Sequence, residues 1–179
     1  MRTTRTGDRL DVVLDDPNRR NAYSTAMREA LIEALTVALL DDSVRSLLLS
    51  GAGPSFCSGG DLTEFGTGPG GDTAHFIRTR RSPGALLAEI ADKVRVRLHG
   101  SCVGAGIELP AFAGFVSAAP DVAIRLPEIA MGLIPGAGGT VSISRRIGRW
   151  RTAYLALSGR PIDARTALGW GLIDDIEEH

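Results

Sequence analysis

Cysteine and histidine are both scarce in this 179-residue chain: only Cys57 and Cys102 supply thiols, and only His75, His99 and His179 supply imidazoles. Two cysteines cannot build the disulfide framework of a small secreted scaffold, and their spacing matches no metal-ligand pattern, so a reducing cytoplasm and no metal are expected. The three histidines fall in no Ser/His/Asp arrangement, and a G-x-S-x-G elbow is missing. Neither charge is in excess, with 20 Lys+Arg against 21 Asp+Glu and a formal net charge of -1. Without a global positive field to attract a phosphate backbone, nucleic acid is not an expected partner. The clusters Arg78, Arg80, Arg81 and Arg145, Arg146 read as solvated surface that could meet one phosphorylated ligand. No apolar run approaches the roughly 20 residues that a bilayer span requires, so no membrane association is expected. Met1 to Leu10 lacks a signal-peptide hydrophobic segment and reads as a frayed, Thr/Arg-rich terminus.

The length fits one domain, residues 1–179, with no linker beyond a loop at Gly66 to Gly71. Val12, Val13 and Leu14 mark a strand over Leu10 to Asp15, closed by the turn signal Asp16-Pro17-Asn18. Met27, Leu31, Leu35 and Leu39 recur at helical spacing behind Ser24, a suitable N-cap. Ser46 to Ser50 reads as a strand buried on both faces, which makes a parallel crossover with the first. Further helices are expected over Ala85 to Asp92, Gly104 to Ala113, Trp150 to Leu157 and Ala164 to Leu168. Strands are expected over Val94 to His99, Phe115 to Ala118 and Leu172 to Ile176. The fold class is α/β.

Glycine is plentiful where chemistry would concentrate. Three junctions stand out: Phe56 to Leu62, Gly100 to Leu109, and Pro127-Glu128 running on to Gly136-Ala137-Gly138-Gly139-Thr140. Small residues at a strand-to-helix turn let a ligand approach the backbone, and free N–H groups there can hold a developing oxyanion, although any one junction alone could simply close a tight turn. No G-x-G-x-x-G follows a predicted strand and no P-loop is present, so nucleotide readings are weak. General acid–base work then falls to carboxylates.

In this order, the three junctions resemble the enoyl-CoA hydratase/isomerase, or crotonase, family over roughly Asp11 to Asp175. Pro17-Asn18-Arg19-Arg20-Asn21-Ala22 resembles the family's N-terminal turn, and Pro127-Glu128-Ile129 through Gly139-Thr140 is the nearest match. The resemblance implies a crotonase-like fold of stacked β-β-α units that binds an acyl-CoA thioester. It implies oxyanion donors at Gly60 and Ala105 and catalytic carboxylates at Glu108 and Glu128. Arg20, Ala22, Ser58, Gly59, Asp61, Leu62, Gly104, Pro127 and Gly136 are implied as substrate-binding. No cofactor is expected, coenzyme A being part of the substrate, and a homo-oligomer, trimer or hexamer, is implied. Two glutamates suit hydration of a 2-enoyl-CoA; isomerisation and a non-catalytic acyl-CoA-binding role are the alternatives.

The chain departs from the family pattern at several places. The family's C-terminal helices would follow the last strand, whereas the sequence stops at His179, so the pocket is expected to be completed differently or the activity weakened. Ala113, Gly114 and Val116 replace a Cys-Asp pair and a basic residue, and Pro110 interrupts the helix that carries Glu108. Arg95 and Arg97 stand where apolar residues are usual, so that, if buried, they need partners or an interface. Thr63 stands where a lysine near the CoA phosphates is common, leaving Arg20 or the Arg78 to Arg81 cluster to substitute.

Overall fold

A computed structural model describes residues 1–66 and 81–177. Apart from Gly66, an exposed turn residue, the loop expected at Gly66 to Gly71 lies outside the described residues, as do Arg78 and Arg80.

Alternating apolar residues define the inner face of the main sheet. In β2 (Arg9–Leu14) the side chains of Leu10, Val12 and Leu14 are buried, and in β4 (Val94–Leu98) those of Val94, Val96 and Leu98. β3 (Ser46–Gly51) lies between them, parallel to both, with Leu47 and Leu49 buried and Leu48 only half-buried, so the strand is not closed on both faces. β6 (Phe115–Ala118) and β9 (Asp175–Ile176) extend the sheet in parallel beyond β4. The frayed terminus expected at the start is instead β1 (Arg2–Thr6), antiparallel to β2 across a turn at Gly7 and Asp8. Its threonines favour extended backbone, and its arginines keep an edge strand hydrated.

A second sheet of very short strands, β5 (Ser101–Val103), β7 (Ala123–Arg125) and β8 (Ile162–Asp163), was not expected, since two or three residues are too few for a periodic pattern. α1 (Thr25–Leu40) matches its pattern: the Ser24 hydroxyl accepts from Met27 N at 3.2 Å, and Met27, Leu31 and Leu35 are buried. α2 (Pro83–Glu89) packs against α1.

Two helices differ from expectation. The one expected over Gly104 to Ala113 is a single turn, α3 (Ala105–Glu108), because Pro110 has no amide to continue it and a 3-10 turn over Pro110–Phe112 follows. The one expected at Trp150 begins earlier, as α4 (Gly139–Ser158), and breaks at Gly148, where φ is 77° and ψ 163°. α5 (Ala164–Trp170) is capped by Asp163, whose carboxylate accepts from Thr166 N at 2.8 Å. Arg95 and Arg97 are exposed on the outer face of β4, Arg95 over the Phe115 ring at 4.6 Å and Arg97 paired with Glu177, so no buried charge arises. No helix among the described residues is long and apolar enough to cross a membrane.

Candidate active site

The segment Cys57 to Gly60 runs between two neighbours that fix the direction of its peptide groups. On one side Cys57 N donates to Ser101 O at 3.1 Å and Cys57 O accepts from Val103 N at 3.0 Å. On the other, Ser58 N donates to Arg20 O at 3.0 Å and Gly59 O accepts from Tyr23 N at 2.8 Å. The peptides of the described residues are trans, and in a trans unit the N–H points opposite to the C=O. Because Gly59 O faces Tyr23, the Gly60 N–H faces away from it, toward the side on which Val103 and Gly104 run. A Cβ on Gly59 would stand 3.2 Å from Val103 O, and one on Gly60 would meet the Phe65 ring at 3.0 Å.

The Ala105 amide is set by the same logic. Gly104 O accepts from Ile107 N and Glu108 N, each at 2.9 Å, so the Ala105 N–H leaves α3 at its N-terminal end. Gly104 begins this turn at φ 51° and ψ -119°, a conformation that costs a non-glycine residue dearly. Among the hydrogen bonds of the described residues, neither the Gly60 nor the Ala105 amide donates.

Two carboxylates adjoin these amides. Glu108, on α3, is 2% exposed, and its Oε2 accepts from Ala137 N and Gly139 N at 2.8 Å each. Burial pushes its carboxyl up to about 7; the Gly139 and Ala137 amides oppose the rise and the charge of Glu128 adds to it. Glu128 opens the 3-10 turn over Glu128–Met131 and folds back over Gly104, where a Cβ would stand 2.4 Å from its Oε1. Its Oε2 is buried and has no hydrogen-bond partner. Burial raises its pKa, against its own backbone amide and Arg125.

Gly59, Gly60, Gly104, Ala105, Glu108 and Glu128 therefore converge. The other residues singled out in the sequence stand further out. Ser58 is joined to Arg20 by backbone only, Arg20 is exposed in the left-handed region at φ 51°, and Ala22 N donates to Arg19 O at 3.1 Å. The Asp61 carboxylate is already engaged by Arg19 at 2.7 Å and by the Thr63 amide and hydroxyl at 3.0 and 2.7 Å. Leu62 is 64% exposed, Gly136 is exposed, and Pro127 is half-buried beside Gly159. Sequence reasoning missed the Ala137 and Gly139 amides that anchor Glu108. The Gly136 to Thr140 run could have indicated them, since a glycine-rich entry to a helix is an anion site.

Residues 9–178 match the family model described as enoyl-CoA hydratase/isomerase. The chain belongs to that family, and its fold is crotonase-like. It is 34% identical over 168 residues to the 1,2-epoxyphenylacetyl-CoA isomerase of Escherichia coli (strain K12), covering 92% of this chain and 64% of that protein. It is 32% identical to the 2,3-dehydroadipyl-CoA hydratase of the same organism, covering 93% and 65%. An enoyl-CoA hydratase from Thermoplasma volcanium GSS1 superposes with a TM-score of 0.88 at 31% identity, over 99% of this chain and 71% of that one. The chain thus spans a little under two thirds of the length of these two curated relatives.

Proposed function

We propose that this protein binds an acyl-CoA thioester and hydrates a 2-enoyl-CoA, or dehydrates the product in reverse, with Glu108 and Glu128 as the reacting carboxylates. The observation that carries this reading is the unequal treatment of the two carboxyl groups. Glu108 is anchored by two amides through one oxygen, whereas Glu128 keeps a buried oxygen without a partner. An orphaned buried carboxylate oxygen is costly unless it carries a proton or meets a substrate.

In this reading the thioester oxygen accepts from the Gly60 and Ala105 amides, and negative charge grows there as water adds. Losing one such donor typically costs about 3 kcal/mol of transition-state stabilisation. Glu108, with Oε2 held, takes a proton from water through Oε1 while the hydroxyl joins Cβ. Glu128 gives its proton to Cα, and the two carboxyls then exchange their proton with solvent for the next turnover. No cofactor is invoked beyond the coenzyme A of the substrate.

A second reading, double-bond migration, draws on the family description, which joins enoyl-CoA hydratases with isomerases. Purified protein mixed with crotonyl-CoA separates the cases: hydration removes the absorbance of the conjugated thioester. Calorimetric binding of a non-reactive acyl-CoA without any turnover would replace the hydratase reading with a binding role.

A further inference from the structure

The single turn that carries Glu108 is too short to hold itself. Pro110 offers no amide, and Phe112 N, which in a continuing α-helix would donate to the Glu108 carbonyl, bonds to Leu109 O at 3.1 Å instead. The Glu108 carbonyl accepts from a side chain: the Ser142 hydroxyl, at 2.6 Å. Ser142 is 1% exposed and lies in the first turn of α4, the same turn whose Gly139 amide, with that of Ala137, holds the Glu108 carboxylate. A Cβ on Gly139 would stand 2.6 Å from Glu108 Cγ, so this turn lies directly against the side-chain stem as well.

We propose that Ser142 is a positioning residue for Glu108, tying the glutamate's backbone to the turn that grips its carboxylate. This rests on the reading of Glu108 as the group that activates water. One rigid element then fixes both ends of the residue, and the free Oε1 is held in one place. Removing the hydroxyl leaves a buried carbonyl without its donor, and the short turn shifts relative to Ala137 and Gly139. Those amides hold the carboxyl down, so loosening them moves its titration upward.

The test is crotonyl-CoA hydration by Ser142→Ala, Ser142→Cys and Ser142→Thr, each with and without Glu108→Gln. The expected result for Ser142→Ala is a fall in kcat of at least about tenfold, with KM within about twofold, and an ascending pH limb displaced to higher pH. Ser142→Cys should fall between alanine and wild type, and Ser142→Thr, which keeps the hydroxyl, should restore most of the rate. In the Glu108→Gln background Ser142→Ala should cost almost nothing further, since the two act as one unit. Should the alanine variant not fold, the cysteine variant reads the same coupling. An unmoved pH limb, or a loss in the Glu108→Gln background equal to that in wild type, overturns the positioning role while leaving Glu108 in place. Full turnover by Glu108→Gln alone overturns both.

Discussion

Gly104 and Glu128 lie so close that a side chain at position 104 would have to push the carboxylate aside: a Cβ there would stand 2.4 Å from it, in a backbone conformation with φ at 51°. The peptide that follows Gly104 carries the Ala105 amide, so one glycine couples a candidate acid to a candidate oxyanion donor.

Gly104→Ala should therefore displace Glu128 and twist the Ala105 amide together, lowering kcat by about 100-fold and stability by about 1–3 kcal/mol. Gly7→Ala is the control. Its φ of 63° is likewise positive, but nothing lies within 4 Å of the added carbon, so it should cost about 1 kcal/mol in melting experiments and leave turnover unchanged.

The rate should depend on pH through both carboxyls. Glu108 must be ionised to accept a proton, so kcat/KM should rise as pH increases through about 7. Glu128, raised by burial, must be protonated to donate, so loss of that proton opposes the rise. The limbs belong to the pair, since the two charges interact. A profile flat from pH 5 to 9 would contradict the assignment.

Stability should follow the opposite slope. With its folded pKa near 7, raised from an unfolded value of about 4.3, Glu108 binds a proton in the folded state that the unfolded chain has already released. Its contribution is complete below the unfolded pKa and is lost as pH rises through 7, a change on the order of 3 kcal/mol. Relative to Glu108→Gln, the wild type should thus lose stability between pH 5 and 7 and hold a constant offset above pH 8. Melting of both proteins across that range checks the sign.

Exposed apolar side chains on α4 and α5, among them Trp150, Leu157 and Leu168 at 76%, 67% and 41%, support self-association. Sedimentation at micromolar protein should show a species heavier than the 18.9 kDa chain, a trimer or its dimer, and a lone monomer would contradict it.

Much of the site was legible because its chemistry sits in residue types whose order is distinctive. Glu108 and Glu128 are carboxylates at glycine-rich junctions, and Gly59 marks where backbone closes on backbone. α1 was legible because Met27, Leu31 and Leu35 all point into the core. The beginning of α4 was not. Gly138 and Gly139 read as loop, and in its first turns only Ile143 and Ile147 supply large buried apolar side chains. The anchoring of Glu108 is carried by the backbone amides of Ala137 and Gly139, so only the glycine-rich run around them, and no side chain, signals it. β5, β7 and β8 are too short to show a period, and Pro110 did shorten the helix that apolar spacing alone would have extended to Ala113.

The central claim is that Glu108 and Glu128 serve one transition state, and crotonyl-CoA hydration by the two Glu→Gln single variants and their double variant tests it most directly. Glu128→Gln should lower kcat at least about 100-fold with little change in acyl-CoA affinity, Glu108→Gln should be comparably impaired, and the double variant should lose little more than the worse single. Loss of double-bond migration in Glu128→Gln alone, with Glu108→Gln largely active, would favour the isomerase. Wild-type turnover in both single variants would contradict the account.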